Sequence, residues 1–288
     1  MSKLAYAAPT SVADAVAALA NAAGLVKVMS GGTDLLVQLR TGRVSPALIV
    51  DTKKLPGITG IRQDANGFTI GAATSGAEIG EHAGLRAAWP GVVEATNLIG
   101  STQVQGRASL AGNLCNASPA ADSVPAMIAA GATCRIVGPK GERTVPVEQV
   151  IVGPGRTSLV HDEFVLDFRL PMPPPRSGDA YLRFIPRTEM DIAVVGAGVA
   201  VTLDTAGVCT AARVALGAVA PTPLLVADAA AALIGHKLDQ KTLDALDAAA
   251  RAACKPIDDK RGTIDFRVKV AGVLARRAAA IAFDRAAS

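Results

Sequence analysis

The sequence is poor in the residues that carry most protein chemistry. Aromatic side chains make up 3% of its 288 residues: one Trp, two Tyr and six Phe. Nucleic-acid binding needs a basic stripe interleaved with stacking platforms. Here 29 Lys and Arg are scattered among 25 Asp and Glu, a net +4. That class is excluded, and the small surplus suits a solvated surface or an acidic partner. The four cysteines, Cys115, Cys134, Cys209 and Cys254, form no Cys-x-x-Cys pair, and His82, His161 and His236 are equally dispersed. The spacing excludes a metal or iron–sulfur site in this chain, and a disulfide framework does not suit a chain of this size. Long apolar runs are missing too. The longest uncharged one, Ile192 to Leu203, contains Gly196 and Gly198 and falls short of a bilayer's span. The N-terminus is alanine-rich but interrupted by Pro9 and Asp14, and Ser11 to Asp14 reads as a capped helix start. It reads as an unprocessed, cytoplasmic chain. No Ser/His/Asp arrangement or paired carboxylates emerge from the spacings.

What the sequence does have is two glycine-bearing loops of one character. Between Asn97 and Gly131 the first half is dense in small and amide-bearing residues. With no apolar period over Gly100 to Ala121, it is predicted to be mostly loop. The second half is predicted as a helix, capped by Asp122 or Ser123, with Pro125 in its first turn and Gly131 at its end. Within the loop, Ser109-Leu110-Ala111-Gly112-Asn113 has side chains small enough for backbone N–H groups to approach an anion. The second such loop, Ser30-Gly31-Gly32-Thr33-Asp34, follows the apolar run Leu25 to Met29 and precedes a helix-compatible Leu35 to Arg40. Strand, glycine turn and helix N-terminus together offer N–H groups and a positive dipole end to a phosphate. Either loop alone is compatible with an ordinary turn. Two of them suggest a diphosphate held between.

Both loops resemble the two FAD-diphosphate loops of the flavin (medium) subunit of the molybdenum hydroxylases, the family of xanthine dehydrogenase and aerobic carbon monoxide dehydrogenase. That family reads Ala-Gly-Gly-(Thr/His)-(Asp/Ser) in the first loop. The second reads Thr-Ile-Gly-Gly-Asn, followed by Asn-Ala-(Ser/Asp)-Pro and an Asp that opens a helix. This chain has Asn116-Ala117-Ser118-Pro119 and Asp122 in register. Arg187 to Ala193, Leu216 to Pro223 and Pro256 to Gly262 are similar to its C-terminal domain. Ser30 stands for the usual alanine. Ala111 stands for the first glycine of the usual pair, a methyl tolerable only where φ is negative.

Taken in order, the chain is predicted to be α+β. Residues 1–170 would form an FAD-binding domain of the PCMH/vanillyl-alcohol-oxidase-like type, with subdomains of about 1–55 and 56–170. Its predicted strands include Gly67 to Ala72, a Thr133–Val137/Arg143–Val147 hairpin and Asp162 to Leu170. The proline-rich 171–178 reads as a linker. Residues 179–288 would form an α+β domain of three antiparallel strands, Tyr181 to Ile185, Ile192 to Leu203 and Val208 to Ala218, followed by helices at about 223–234, 240–253 and 263–287. In the last helix Phe266, Val270, Val273, Leu274 and Ile281 share the face expected to be buried. Val195-Gly196-Ala197-Gly198-Val199-Ala200 imitates the start of a dinucleotide fingerprint. It lacks the third glycine and a following helix, so its glycines are assigned to close packing across a sheet.

By the resemblance, the backbone of Ser30, Gly31, Gly32, Thr33 and Asp34 and that of Ser109, Leu110, Ala111, Gly112 and Asn113 would grip the FAD diphosphate. Asp122 would accept from the nucleotide, tie the loop to its helix, or act as a plain cap. Ile99 would pack on the flavin side of the site or simply in the core. Arg183 would lie near the flavin's polar edge or be an exposed strand-end arginine. The resemblance implies an oxidoreductase subunit without activity on substrate alone. It would take electrons from a partner carrying two [2Fe–2S] clusters, pass them to an external acceptor, and assemble with a molybdopterin large subunit as a dimer of heterotrimers. A self-contained flavoenzyme of the same fold, or a structural subunit that has lost FAD, stays open as an alternative.

Overall fold

The computed structural model describes residues 4–288. The chain begins with β1 (Ala5–Ala7), α1 (Val12–Ala20), β2 (Val26–Met29), α2 (Leu35–Arg40) and β3 (Leu48–Asp51). Ser11 caps α1, its hydroxyl accepting from the Asp14 N–H. The three strands form a parallel sheet of order β1-β3-β2. Its central strand is the most buried because it is covered on both sides.

The next stretch holds β4 (Ile61–Asp64), β5 (Gly67–Gly71), α3 (Gly76–Glu81), α4 (Ala83–Ala88), α5 (Pro90–Thr96), α6 (Thr102–Gln105), α7 (Leu110–Cys115) and α8 (Ser123–Ala129). It continues with β6 (Thr133–Gly138), β7 (Gly141–Pro146), the small β8 (Ile151–Gly153) and β9 (Arg156–Thr157) hairpin, and β10 (Phe164–Pro171). Five of these strands pair antiparallel in the order β4-β5-β10-β6-β7. The central strand, β10, is buried on both faces over Phe164 to Phe168, so the alternation expected for it is absent there.

Gly100 to Ala121 departs from the predicted loop, since it contains α6 and α7. Each helix is too short to display a 3.6-residue period, and that is why neither showed in the pattern. Helix α7 is held by its ends and one face. Ser109 accepts the Gly112 N–H, and Leu110 and Leu114, four apart, are both buried. Asp122 stands at the cap position of α8 but makes no side-chain cap bond. Asn113 does that work instead, its Oδ1 accepting from the N–H of Ser123 at 3.1 Å and its hydroxyl at 2.7 Å.

Beyond Pro171 the strand β11 (Ser177–Phe184) begins inside the proline-rich stretch. It pairs with β12 (Val195–Leu203), which pairs with β13 (Cys209–Gly217), and a two-residue fourth strand, β14 (Leu224–Leu225), extends the three expected. Helices α9 (Ala227–Ala231), α10 (Gln240–Ala252) and α11 (Ile264–Ala287) follow. The face of α11 that packs on the sheet overlaps the predicted one in part, with Leu274 buried and Val270 and Ile281 packed partly buried against the core. Phe266 is 39% exposed, while Ala271, Ala275, Ala278, Ala279 and Ala282 are fully buried beside Leu274 and Phe283. Methyl side chains bring the helix backbone down onto the sheet, and bulkier residues at its edges cover the flanks. Gly198 of the imitation fingerprint lies in β12, where a Cβ would meet the Pro125 carbonyl oxygen at 2.7 Å. The close-packing reading holds.

Two apolar cores result. One gathers residues of the first two stretches with Tyr181 and Ala215, the other the sheet and helices after Ala180. Among the described residues no helix is long and apolar enough to cross a membrane.

Candidate cofactor site

The strand-turn-helix β2–α2 and the segment before α7 face one another across a groove enclosing about 700 Å³ of space open to solvent. Ser30, Gly31, Gly32, Thr33 and Asp34 line one side, and Ser109, Gly112 and Asn113 the other, with Ile99 at the rim. The loops touch. A Cβ on Gly31 would stand 1.6 Å from the Arg107 carbonyl oxygen, so only glycine lets the first loop lie on the second. Gly32 turns the chain into α2 with φ +78°.

Three donor side chains hold the groove's shape. Gln38 donates from Nε2 to Asn116 Oδ1 at 3.1 Å, joining α2 to the end of α7. Lys53 donates from Nζ to the Ser30 carbonyl at 2.9 Å while paired with Asp51 at 2.8 Å. The Tyr6 hydroxyl donates to Oδ2 of the same carboxylate at 2.6 Å. Burial alone would raise the Asp51 carboxyl, but the bonds from Lys53 and Tyr6 hold it below the usual carboxylate range.

Among the described residues, the N–H groups of Gly31, Gly32, Thr33 and Asp34 donate to no protein acceptor, nor does that of Ala111 in the first turn of α7, while Leu110 follows the bridge that Ser109 makes with Ser75. Buried or half-buried N–H groups without partners are rare, and those of Gly31, Gly32 and Thr33 with that of Ala111 across the groove form a donor array suited to an anion. Lys27 lines the groove with no ion-pair partner among the described residues. Asp34 also lines it, and burial raises its carboxyl above the usual carboxylate range.

Comparison with known proteins agrees with this geometry. Residues 2–173 match the family described as FAD binding domain in molybdopterin dehydrogenase, and residues 180–282 the CO dehydrogenase flavoprotein C-terminal domain. The chain belongs to this family of FAD-binding oxidoreductase subunits. The carbon monoxide dehydrogenase medium chain of Afipia carboxidovorans is 33% identical over 281 residues, 98% of this chain and 97% of that one. The xanthine dehydrogenase FAD-binding subunit of Escherichia coli O157:H7 is 30% identical over 94% of this chain and 93% of its own. The solved carbon monoxide dehydrogenase from Hydrogenophaga pseudoflava that lacks the Mo-pyranopterin moiety of its cofactor matches at a TM-score of 0.94 and 32% identity, with 98% of each chain covered.

In this FAD-binding subunit the remaining residues singled out by sequence lie apart from the groove lining. Leu110 and Ala111 are buried beneath it and offer only backbone. Ala111 is helical, so its methyl is compatible with the backbone there. Asp122 and Arg183 pair with each other at 2.8 Å, with side chains 10% and 6% exposed. Arg183 is therefore not an exposed strand-end residue. Burial pushes the Asp122 carboxyl up to about 6, against the downward pull of Arg183 and the Tyr181 hydroxyl. Sequence reading missed Lys27, Gln38, Cys115 and Asn116 in the lining. Gln38 lies one helical turn beyond Asp34, on the face that the N-terminus of α2 presents. That spacing could have found it.

Proposed function

We propose that this chain is the FAD-carrying electron-transfer subunit of a molybdenum hydroxylase complex. The observation that supports this most directly is the array of unengaged N–H groups on two loops that touch through Gly31 and Arg107. FAD, once bound, supplies the redox chemistry, and the protein supplies binding, orientation and electrostatic setting. The backbone of Ser30 to Asp34 and of Ser109 to Asn113 would hold the diphosphate, and Ile99 would present an apolar surface to the flavin end. Asp122 and Arg183 would act from behind the lining, where Arg183 bonds the carbonyl of Leu98 next to Ile99.

In this reading electrons arrive from [2Fe–2S] clusters on a small partner subunit and leave to an external acceptor. A molybdopterin-bearing large subunit oxidises the substrate, and the complex is a cytoplasmic dimer of heterotrimers. The division of the chain at the proline-rich stretch follows the same plan, an FAD-binding domain to about residue 170 and a C-terminal domain from about 179.

A visible absorption spectrum of the purified chain, alone and with its partners, tests the reading. The expected result is a flavin spectrum from the chain alone and added iron–sulfur absorbance on co-purification. Substrate oxidation by the lone chain would point to a self-contained flavoenzyme. A chain that stays colourless after incubation with FAD would point to a structural subunit.

A further inference from the structure

Alternate residues of β11 aim polar atoms into the FAD-binding part of the chain. Asp179, Tyr181 and Arg183 share one face of the strand, and all three are nearly fully buried. The Asp179 carboxyl lies at the start of α5, where burial raises it to about 7 against the opposing pull of the Gly91 and Val92 N–H groups. The Tyr181 N–H donates to Glu94 Oε2 at 3.2 Å, and its hydroxyl donates to Asp122 Oδ1 at 3.2 Å. Arg183 is the last of the three. Its Nη1 donates to the Leu98 carbonyl at 2.8 Å and to Asp122 Oδ2 at 2.8 Å. Leu98 is the residue before Ile99, which lines the groove.

We propose that Arg183 is a positioning residue for the cofactor groove, fixing Ile99 through the Leu98 carbonyl while Asp122 fixes Arg183. This rests on the reading of the groove as the FAD site. Two charge-assisted bonds from one guanidinium nitrogen define the height of the backbone at Leu98, and that height sets how far Ile99 reaches into the groove. The flavin end of the groove is thus shaped by a strand of the C-terminal part of the chain.

The test is a double-mutant cycle on the full chain, reading the FAD dissociation constant by flavin fluorescence and the visible circular dichroism of the bound flavin. Arg183→Met is expected to weaken FAD roughly tenfold, the weight of one charge-assisted hydrogen bond, and to alter the dichroism at saturating FAD. Arg183→Met combined with Ile99→Ala is expected to bind no more weakly than the weaker single variant, because both act through one contact. Arg285→Met serves as control. It removes the contacts of Arg285 with Glu94 and with the Asp179 carbonyl at the far end of the same interface. It is expected to lower the unfolding midpoint while leaving FAD affinity within about twofold.

Additive losses in the cycle would overturn the proposal, as would a loss of FAD in Arg285→Met equal to that in Arg183→Met. Should Arg183→Met fail to fold, the same cycle with Arg183→Lys decides. An ammonium keeps the Asp122 pair but cannot hold both acceptors in the guanidinium's geometry. A wild-type chain that binds no FAD would overturn the groove reading itself, an outcome distinct from additivity in a chain that does bind it.

Discussion

Gln38 and Asn116 are 78 residues apart in sequence and joined by one 3.1 Å hydrogen bond. It is the side-chain tie between the two walls of the cofactor groove, running from α2 to the end of α7. A single such bond contributes about 0.5–1.5 kcal/mol. Gln38→Ala should therefore weaken FAD binding by about two- to tenfold, measured by flavin fluorescence, with little change in the unfolding midpoint. Unchanged affinity would mean the walls hold their spacing without it.

Gly31→Ala tests the contact between the loops directly. Its methyl would fall on the Arg107 carbonyl, a rigid backbone atom, so one loop must move. Overpacking of this kind costs roughly 1–3 kcal/mol. The variant should purify with little or no bound flavin. Normal flavin content would show that the loops can separate without losing the site.

Ala111→Gly restores the residue usual in related loops, and it should not help. Ala111 sits inside α7, where glycine costs about 0.5–1 kcal/mol relative to alanine. A slightly lower unfolding midpoint with unchanged FAD affinity is expected. Tighter binding would show that the Ala111 methyl crowds the cofactor.

The pH dependence of stability should carry the signature of Asp179. Burial pushes its carboxyl up to about 7, with Glu94 adding to the rise and Arg285 opposing it. An unfolded aspartate titrates near 3.9. Between about pH 4 and pH 7 the folded chain thus holds a proton the unfolded chain has released, and stability from this group falls as pH rises. Asp179→Asn, which does not titrate, should lose less of its urea midpoint between pH 5 and pH 8 than the wild type. Parallel slopes would place the titration elsewhere.

The groove's first wall was legible in the sequence because strand, glycine turn and helix each leave a local mark between Leu25 and Arg40. The second wall was legible only as composition. A six-residue helix such as α7 is specified by a cap and one buried face, and so short a window does not separate it from loop. The buried face of α11 was read only in part, through Leu274, Val270 and Ile281, because hydrophobicity was taken to follow side-chain size. Close approach to a sheet selects alanine, and Phe266 is left at the edge. The Asp122–Arg183 pair was out of reach for a different reason. Both residues were noted, but their partnership is a product of tertiary packing between residues 61 apart.

The contact of α11 with β11 sets an order in time. A Cβ at Gly178 would lie 2.3 Å from the Ala282 carbonyl, and Arg285 reaches the Asp179 carbonyl at 2.6 Å. The strand bearing Arg183 is therefore seated by residues the ribosome makes about a hundred positions after it and long after both glycine loops. On a chain still being synthesised, both glycine loops are complete before α11, and with it the seat of the strand that bonds Leu98, emerges. Flavin is then expected to be gripped at one end before the other, with full loading a late step of synthesis.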